Sequence, residues 1–95
     1  MGQVTGHILV YHPDVKDDIR PIPANMRLRI RKAIETRLLK DPAVAGQPLR
    51  QSLQGHRKLR VGDYRVIYRV SKLSILILKI GNRKDVYGEV FCRIK

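Results

Sequence analysis

Residues 58–80 read KLRVGDYRVIYRVSKLSILILKI, and the fold turns on this stretch. From Tyr64 to Val70 the chain alternates, with Tyr64, Val66, Tyr68 and Val70 on one face and Arg65, Ile67 and Arg69 on the other. A two-residue period sustained this long marks a strand with one face turned to a core, so Tyr64 and Tyr68 are expected to point inward. Gly62-Asp63 supplies a turn ahead of it, which makes Lys58–Val61 a short antiparallel neighbour. Leu73–Ile80 is rich in β-branched residues and apolar on both faces; it reads as the best-buried strand, ended by Gly81-Asn82. Strands this closely spaced favour an antiparallel meander.

Working outward, the period changes to that of helices. Ala24–Lys40 places Met26, Ile30, Ala33, Ile34 and Leu38 on one stripe and Arg27, Arg31, Lys32 and Arg37 mostly on the others, an amphipathic helix closed by Asp41-Pro42. Pro13–Arg20 is a shorter helix, with Pro13 suited to its first position, Val15 and Ile19 four apart, and Pro21 and Pro23 stopping it. Val4–Tyr11 reads as a strand that must join the sheet, since a lone strand leaves its backbone groups unpaired. Ala43–Gly55 is a connector whose Leu49 and Leu53 dip into the core edge, and Val86–Ile94 is a final short strand or a loosely packed tail. The expectation is a single α+β domain over residues 1–95 in the order β-α-α-β-β-β. Two N-terminal helices pack on a mainly antiparallel four-stranded sheet, with 88–95 as tail or short strand.

Twenty Lys and Arg stand against eight Asp and Glu, a formal net charge of +12 on 95 residues. A small fold repels itself at that charge unless an anionic partner offsets it; phosphate backbone is the first candidate and an acidic protein the second. The charge is uneven. Residues 24–40 hold six cations against Glu35, and residues 55–95 hold eleven against Asp63, Asp85 and Glu89. The lone Cys92 permits no internal disulfide and gives no sign of an oxidising compartment. Met1–Tyr11 is interrupted by Gln3 and His7, and the longest strongly apolar run is Ile75–Leu78, so neither a signal peptide nor a membrane span is expected and the chain reads as cytoplasmic. His7, His12 and His56 are scattered with no carboxylate or cysteine at metal-ligand spacing, and neither a Gly-rich phosphate loop nor a paired-carboxylate motif is present. No metal or other cofactor is expected.

With turns near Gly62-Asp63 and Ser71-Lys72, antiparallel pairing sets Arg65 close to Arg60 on one side and close to Lys79 on the other, with Arg83 just past the strand end. Directly opposed like charges destabilise a sheet, so this arrangement requires divergent side chains or a bound anion. Periodicity alone admits two readings: an RNA phosphate clamp of Arg60, Arg65 and Arg83 with Lys58 on a nearby rung, or side chains that snorkel over the sheet to water. Tyr87, four after Arg83, suits stacking on a base, proton transfer, or packing at the domain edge.

Leu53–Tyr68 reads LQGHRKLRVGDYRVIY and Ile80–Tyr87 reads IGNRKDVY. Together they resemble the two signature regions of RelE-like toxins, within the RelE/ParE superfamily: a Leu-x-Gly lead-in, a basic strand, Gly-Asp-Tyr-Arg-x-x-Tyr, and a closing Arg-x-x-x-Tyr. With the amphipathic helix and Asp41-Pro42, the resemblance spans residues 4–87. It implies the toxin of a type II toxin–antitoxin system, an endoribonuclease that enters the ribosomal A site and cleaves mRNA without a metal. The 2′-hydroxyl attacks the adjacent phosphate, leaving a cyclic phosphate and a 5′-hydroxyl. The implied partners are the ribosome, mRNA and an antitoxin protein that blocks the site. Carried over by residue, Arg65 and Arg83 stabilise charge growing on the phosphate. Tyr87 stacks on a base or assists removal of the 2′-hydroxyl proton, Lys58 acts as a basic or electrostatic group, and Arg60 binds backbone. His56, Arg57, Lys79 and Lys84 add to the RNA-binding surface. His56 stands where some relatives carry a second lysine, and Gly88–Lys95 extends past the tyrosine, where it can shape access. The superfamily also holds ParE-type gyrase inhibitors that need no catalytic site; Arg83 and Tyr87 favour the ribonuclease. A non-catalytic nucleic-acid-binding module is the other alternative, whereas a metal-dependent nuclease lacks the acidic constellation it needs.

Overall fold

In the computed structural model, which describes residues 8–41, 45–49 and 55–94, the Tyr64–Val70 alternation forms the middle strand of a five-stranded sheet. The elements are β1 (Ile8–Tyr11), α1 (Val15–Ile19), α2 (Ala24–Ala33, continued by a π-helical turn Ile34–Leu38), β2 (Gln47–Pro48), β3 (Arg57–Val61), β4 (Tyr64–Val70), β5 (Ser74–Asn82) and α3 (Val86–Ile94). The sheet order is β1-β5-β4-β3-β2. β1 runs parallel to β5 and the other pairs are antiparallel. The first strand thus joins the sheet as its backbone requires, but the sheet has one strand more than the four expected. The addition, β2, lies inside the stretch read as a connector. Two residues carry no periodicity and Pro48 brings no N–H, so the pairing is reinforced from beside it, where Leu49 N–H donates to His56 O at 2.9 Å.

The two N-terminal helices cover one face of the sheet. Ile30, Ile34 and Leu38 pack there against Val66, Tyr68, Ile75 and Ile77, all of them buried. Tyr68 is fully enclosed and Tyr64 partly so, on the inward side their alternation assigns. The last turn of the long helix widens: Leu39 N–H bonds Ile34 O, five residues back, at 3.3 Å. A π turn rotates less per residue than an α turn, which keeps Leu38 on the Ile30–Ile34 stripe.

The other face carries a second core. Here the expected short strand or tail at Val86–Ile94 is corrected to helix α3. Val86 and Val90, one helical turn apart, are wholly buried against Ile67 and Leu78, with Leu49, Leu76 and Tyr87 at the margin. β5 is apolar on both faces, so Leu76 and Leu78 need a cover of their own, and a helical period sets Val86 and Val90 over them. β5 also runs on through Gly81 to Asn82 rather than stopping before them. A Cβ on Gly81 would stand 3.4 Å from both Cβ and Cγ2 of Val86, so glycine lets the start of α3 lie close against the strand. Val4–His7, Pro42 and Leu53 fall outside the described residues, as does the side chain of Cys92. Among the described residues no helix is long and apolar enough to cross a membrane.

One carboxylate joins these layers. β1 ends opposite Ile77, and past that point Ile80 N–H donates to Asp18 Oδ2 of α1 at 3.1 Å. Asp18 Oδ1 also accepts Lys79 Nζ at 3.0 Å and Arg93 Nη2 at 2.8 Å, while Arg93 Nη1 bonds Oδ2 and, at 3.0 Å, Leu78 O. The Asp18, Lys79 and Arg93 side chains are only 6%, 8% and 13% exposed. Burial by itself pushes the Asp18 carboxyl up, but the hydrogen bonds from Arg93, Lys79 and Ile80 outweigh it and hold the group below its ordinary value. The folded state therefore favours the ion. Its contribution is complete above the unfolded value of about 3.9 and is lost as pH falls through the lower folded value. Asp18→Asn keeps an acceptor for Ile80 but removes the shared negative charge. The expected cost is about 3 kcal/mol at neutral pH, with the gap between the two proteins closing on acidification. Urea unfolding of both across the acid range checks this, and a gap independent of pH contradicts it.

Candidate active site

Cross-strand pairing builds the site. Arg60 of β3 stands directly opposite Arg65 of β4, and Lys58 opposite Ile67. Ile67 belongs to the core beneath α3, so these residues share the sheet face turned away from α1 and α2. Gly62, at φ 59°, makes the turn between the strands in a left-handed conformation that glycine adopts without strain. The two opposed guanidinium groups diverge. Arg65 folds back so that its Nη1 donates to Gly62 O and Tyr64 O, each at 2.9 Å, and is only 8% exposed, whereas Arg60 opens to solvent.

Arg83 reaches the same turn from the end of β5. Its backbone N–H donates to Asp63 O at 2.9 Å, and the residue is exposed. Lys84 follows, also exposed, with its N–H on Asn82 Oδ1 at 3.0 Å. This bend leads into α3, whose first turn carries Tyr87. Lys58 Nζ lies 5.6 Å from the centroid of the Tyr87 ring, close enough for the ring's quadrupole to attract the ammonium. Lys58, Arg60, Arg65, Arg83 and Tyr87 are thus gathered from two strands, a bend and a helix. His56 immediately precedes the strand that carries Lys58 and is 7% exposed; among the described residues its Nδ1 has no hydrogen-bond partner.

Two candidates lie elsewhere. Lys79 does not sit beside Arg65: the turn after β4 takes in Ser71–Ser74, and Leu78 bulges, so Gly81 stands opposite Arg65 and Lys79 opposite Ile67. The Lys79 ammonium is held by Asp18 instead. Arg57 is paired with Tyr68, on the helix-covered face, and its Nη2 donates to Gly46 O at 2.7 Å. Burial raises the Tyr68 hydroxyl above its ordinary value, only partly countered by hydrogen bonds from Arg57 and at Gly46, so Tyr68 remains protonated and serves as a strut. Sequence reading also missed Asp18 and Arg93, which fix the far end of the helix bearing Tyr87. They are 75 residues apart and no local pattern links them.

Among the described residues no three His, Cys, Asp or Glu side chains group as a metal-binding set. An apolar groove of about 770 Å³ lies on the helix side, lined by Leu9, Tyr11, Val15, Leu28 and Ile34 among others, away from the cationic cluster.

Residues 9–87 match the family described as the ParE toxin of the type II toxin-antitoxin system parDE. The chain belongs to this toxin family. Within it the similarity is to RelE-like members. Toxin RelG of Mycobacterium tuberculosis is 29% identical over 72 residues, covering 74% of this chain and 83% of the relative. Toxin RelE of the same organism is 31% identical over 78 residues, 80% of each. In fold, a chain of the toxin-antitoxin complex RelBE2 from M. tuberculosis superposes with a TM-score of 0.77 at 24% identity, covering 87% of this chain and 98% of that one. The RelE-like resemblance and the α+β class are both borne out.

For this toxin-family chain, the Tyr87 ring is expected to carry the packing that its hydroxyl does not. Tyr87→Phe should unfold within about 0.5 kcal/mol of the parent, because the ring face beneath Lys58 survives. Tyr87→Ala, which empties a half-buried position beside Ile67 and Leu78, should cost roughly 1–2 kcal/mol. Urea melts of the three proteins separate these outcomes.

Proposed function

We propose that this toxin is a ribosome-dependent endoribonuclease that cuts mRNA in the A site and so arrests translation. The observation that carries the reading is the meeting of Arg60, Arg65 and Arg83 at one turn, with Lys58 and Tyr87 side by side next to it. Cations fixed in place before substrate arrives are the arrangement that stabilises a developing phosphorane charge. Arg65, pinned through Nη1 to two carbonyls, acts as a preoriented charge, while the exposed Arg60 and Arg83 make direct contacts with phosphate oxygens.

In the reaction the RNA's own 2′-oxygen attacks the adjacent phosphorus and the bond to the 5′-oxygen breaks. The 2′-hydroxyl loses a proton and the departing 5′-oxygen gains one, giving a 2′,3′-cyclic phosphate and a 5′-hydroxyl with no water consumed. Lys58 and Tyr87, side by side at the cluster, are the groups at hand for these two transfers. Tyr87 also offers its ring to a base. A cognate antitoxin protein is the second partner, in keeping with the solved relative being a toxin-antitoxin complex. The setting is the cytoplasm, where translating ribosomes are found.

The match to a family described by ParE supports one other reading, inhibition of DNA gyrase by binding alone. Mapping of mRNA ends on purified translating ribosomes tests the choice. The parent should cut within the A-site codon and leave 5′-hydroxyl ends. Arg83→Ala should lose about 10²–10³-fold in single-turnover rate, and Tyr87→Phe about 10²-fold or more. Intact mRNA with a folded protein that blocks supercoiling by gyrase would favour the other reading.

A further inference from the structure

The cationic turn has a continuation on α2 that the toxin signature does not include. Arg29 Nη1 lies 3.8 Å from where a Cβ on Gly62 would stand, which brings α2 up against the β3–β4 turn. Eight residues on, Arg37 reaches across to β3, its Nη1 on Arg60 O at 3.4 Å and its Nη2 on Ala45 O at 3.3 Å. Both arginines are exposed. Arg37 borders the strand that presents Arg60, and Arg29 lies at the turn that receives Arg65 and Arg83.

Among the described residues the arginine–carboxylate pairs are Arg20–Asp17, Arg31–Glu35 and Arg93–Asp18, none of them at this turn. The acids here are the exposed Asp63 of the turn and Asp85 of the bend after β5, against five arginines from α2, β3, β4 and that bend. Arg37 is also partly immobilised on carbonyls while retaining further N–H donors, so it surrenders less freedom on meeting a phosphate than a mobile side chain would.

We propose that Arg29 and Arg37 form a second phosphate track, along which an RNA strand held at Arg60 and Arg83 passes around the β3–β4 turn onto α2. The inference rests on the RNA-directed function proposed above and names where the flanking backbone runs. It places the track on one flank of α2 only: Arg27 and Arg31, on the other flank, line the apolar groove.

The experiment compares the parent with Arg29→Gln/Arg37→Gln and with Arg27→Gln/Arg31→Gln, which removes the same charge from the opposite flank. Affinity is measured over a range of salt for two probes, a short single-stranded RNA and ribosomes without message. Loss of two phosphate contacts should flatten the slope of log affinity against log salt by about 1.4 and weaken binding roughly tenfold or more at low salt. The Arg27/Arg31 pair should leave the slope unchanged. Weakening on the short RNA assigns the track to message, and weakening on ribosomes alone assigns it to ribosomal RNA; either supports the track. Arg29→Gln by itself, which leaves the Arg37 carbonyl contacts in place, should give about half the change in slope. Equal effects of the two double variants, or no effect of either while the parent binds, overturn the track alone. A parent that binds neither probe overturns the RNA-directed function and the track with it.

Discussion

The Asp18 carboxylate accepts from three donor groups at once: the Ile80 backbone N–H and the Lys79 ammonium, both of β5, and the Arg93 guanidinium of α3. The need arises because β1 stops opposite Ile77 and leaves β5 to continue alone along that edge. A backbone N–H buried there requires an acceptor, and a carboxylate supplies one with lone pairs left for two cations. A buried ionic cluster of this kind adds little net stability over an apolar replacement. Its effect is geometric. α3 is held at its beginning by Val86 against Gly81 and at its end by Arg93 on Asp18, so the helix that carries Tyr87 is fixed over the sheet from both ends.

The excess of positive charge is accommodated without enough carboxylates to match it. Arg37 and Arg65 both dock on main-chain carbonyls: those of Arg60 and Ala45, and of Gly62 and Tyr64. A carbonyl satisfies the donors but does not cancel the charge. The guanidinium groups are therefore positioned and still attractive to anions, which separates them from the cations neutralised at Asp17, Asp18 and Glu35. Such a fold gains stability from any polyanion that binds it, because the ligand relieves a repulsion the free chain must bear.

What could be read in advance follows from the range of the interactions. Seven alternating residues from Tyr64 to Val70 announce a strand, and a two-residue turn at Gly62-Asp63 leaves one register, so Arg60 and Arg65 could be set opposite each other from the sequence. On the other side of β4 the same reasoning misplaced Lys79, because a four-residue turn and the Leu78 bulge each shift the register and neither has a local signature. β2 is too short to show a period. In α3, the β-branched Val86 and Val90 favour a strand reading, and only the apolar outer face of β5 shows that a helix must cover it. Sequence reading sets Lys79 on the RNA-binding surface and assigns Arg93 no role; nothing local ties either to Asp18, which the fold brings between them.

The residues proposed to bind phosphate and those proposed to move protons rest on different supports. Arg60, Arg65 and Arg83 are set by the β3–β4 turn and by Arg83 N–H on Asp63 O, contacts that do not involve the body of α3. The Lys58–Tyr87 pair spans a strand and a helix, and exists only while α3 lies on the sheet. A displacement of α3 would thus dismantle the Lys58–Tyr87 pair and leave the cationic surface standing. On the proposed reading, affinity for RNA and competence to cleave it are then separable, with the packing of Val86 and Val90 and the grip of Asp18 on Arg93 controlling the second far more than the first.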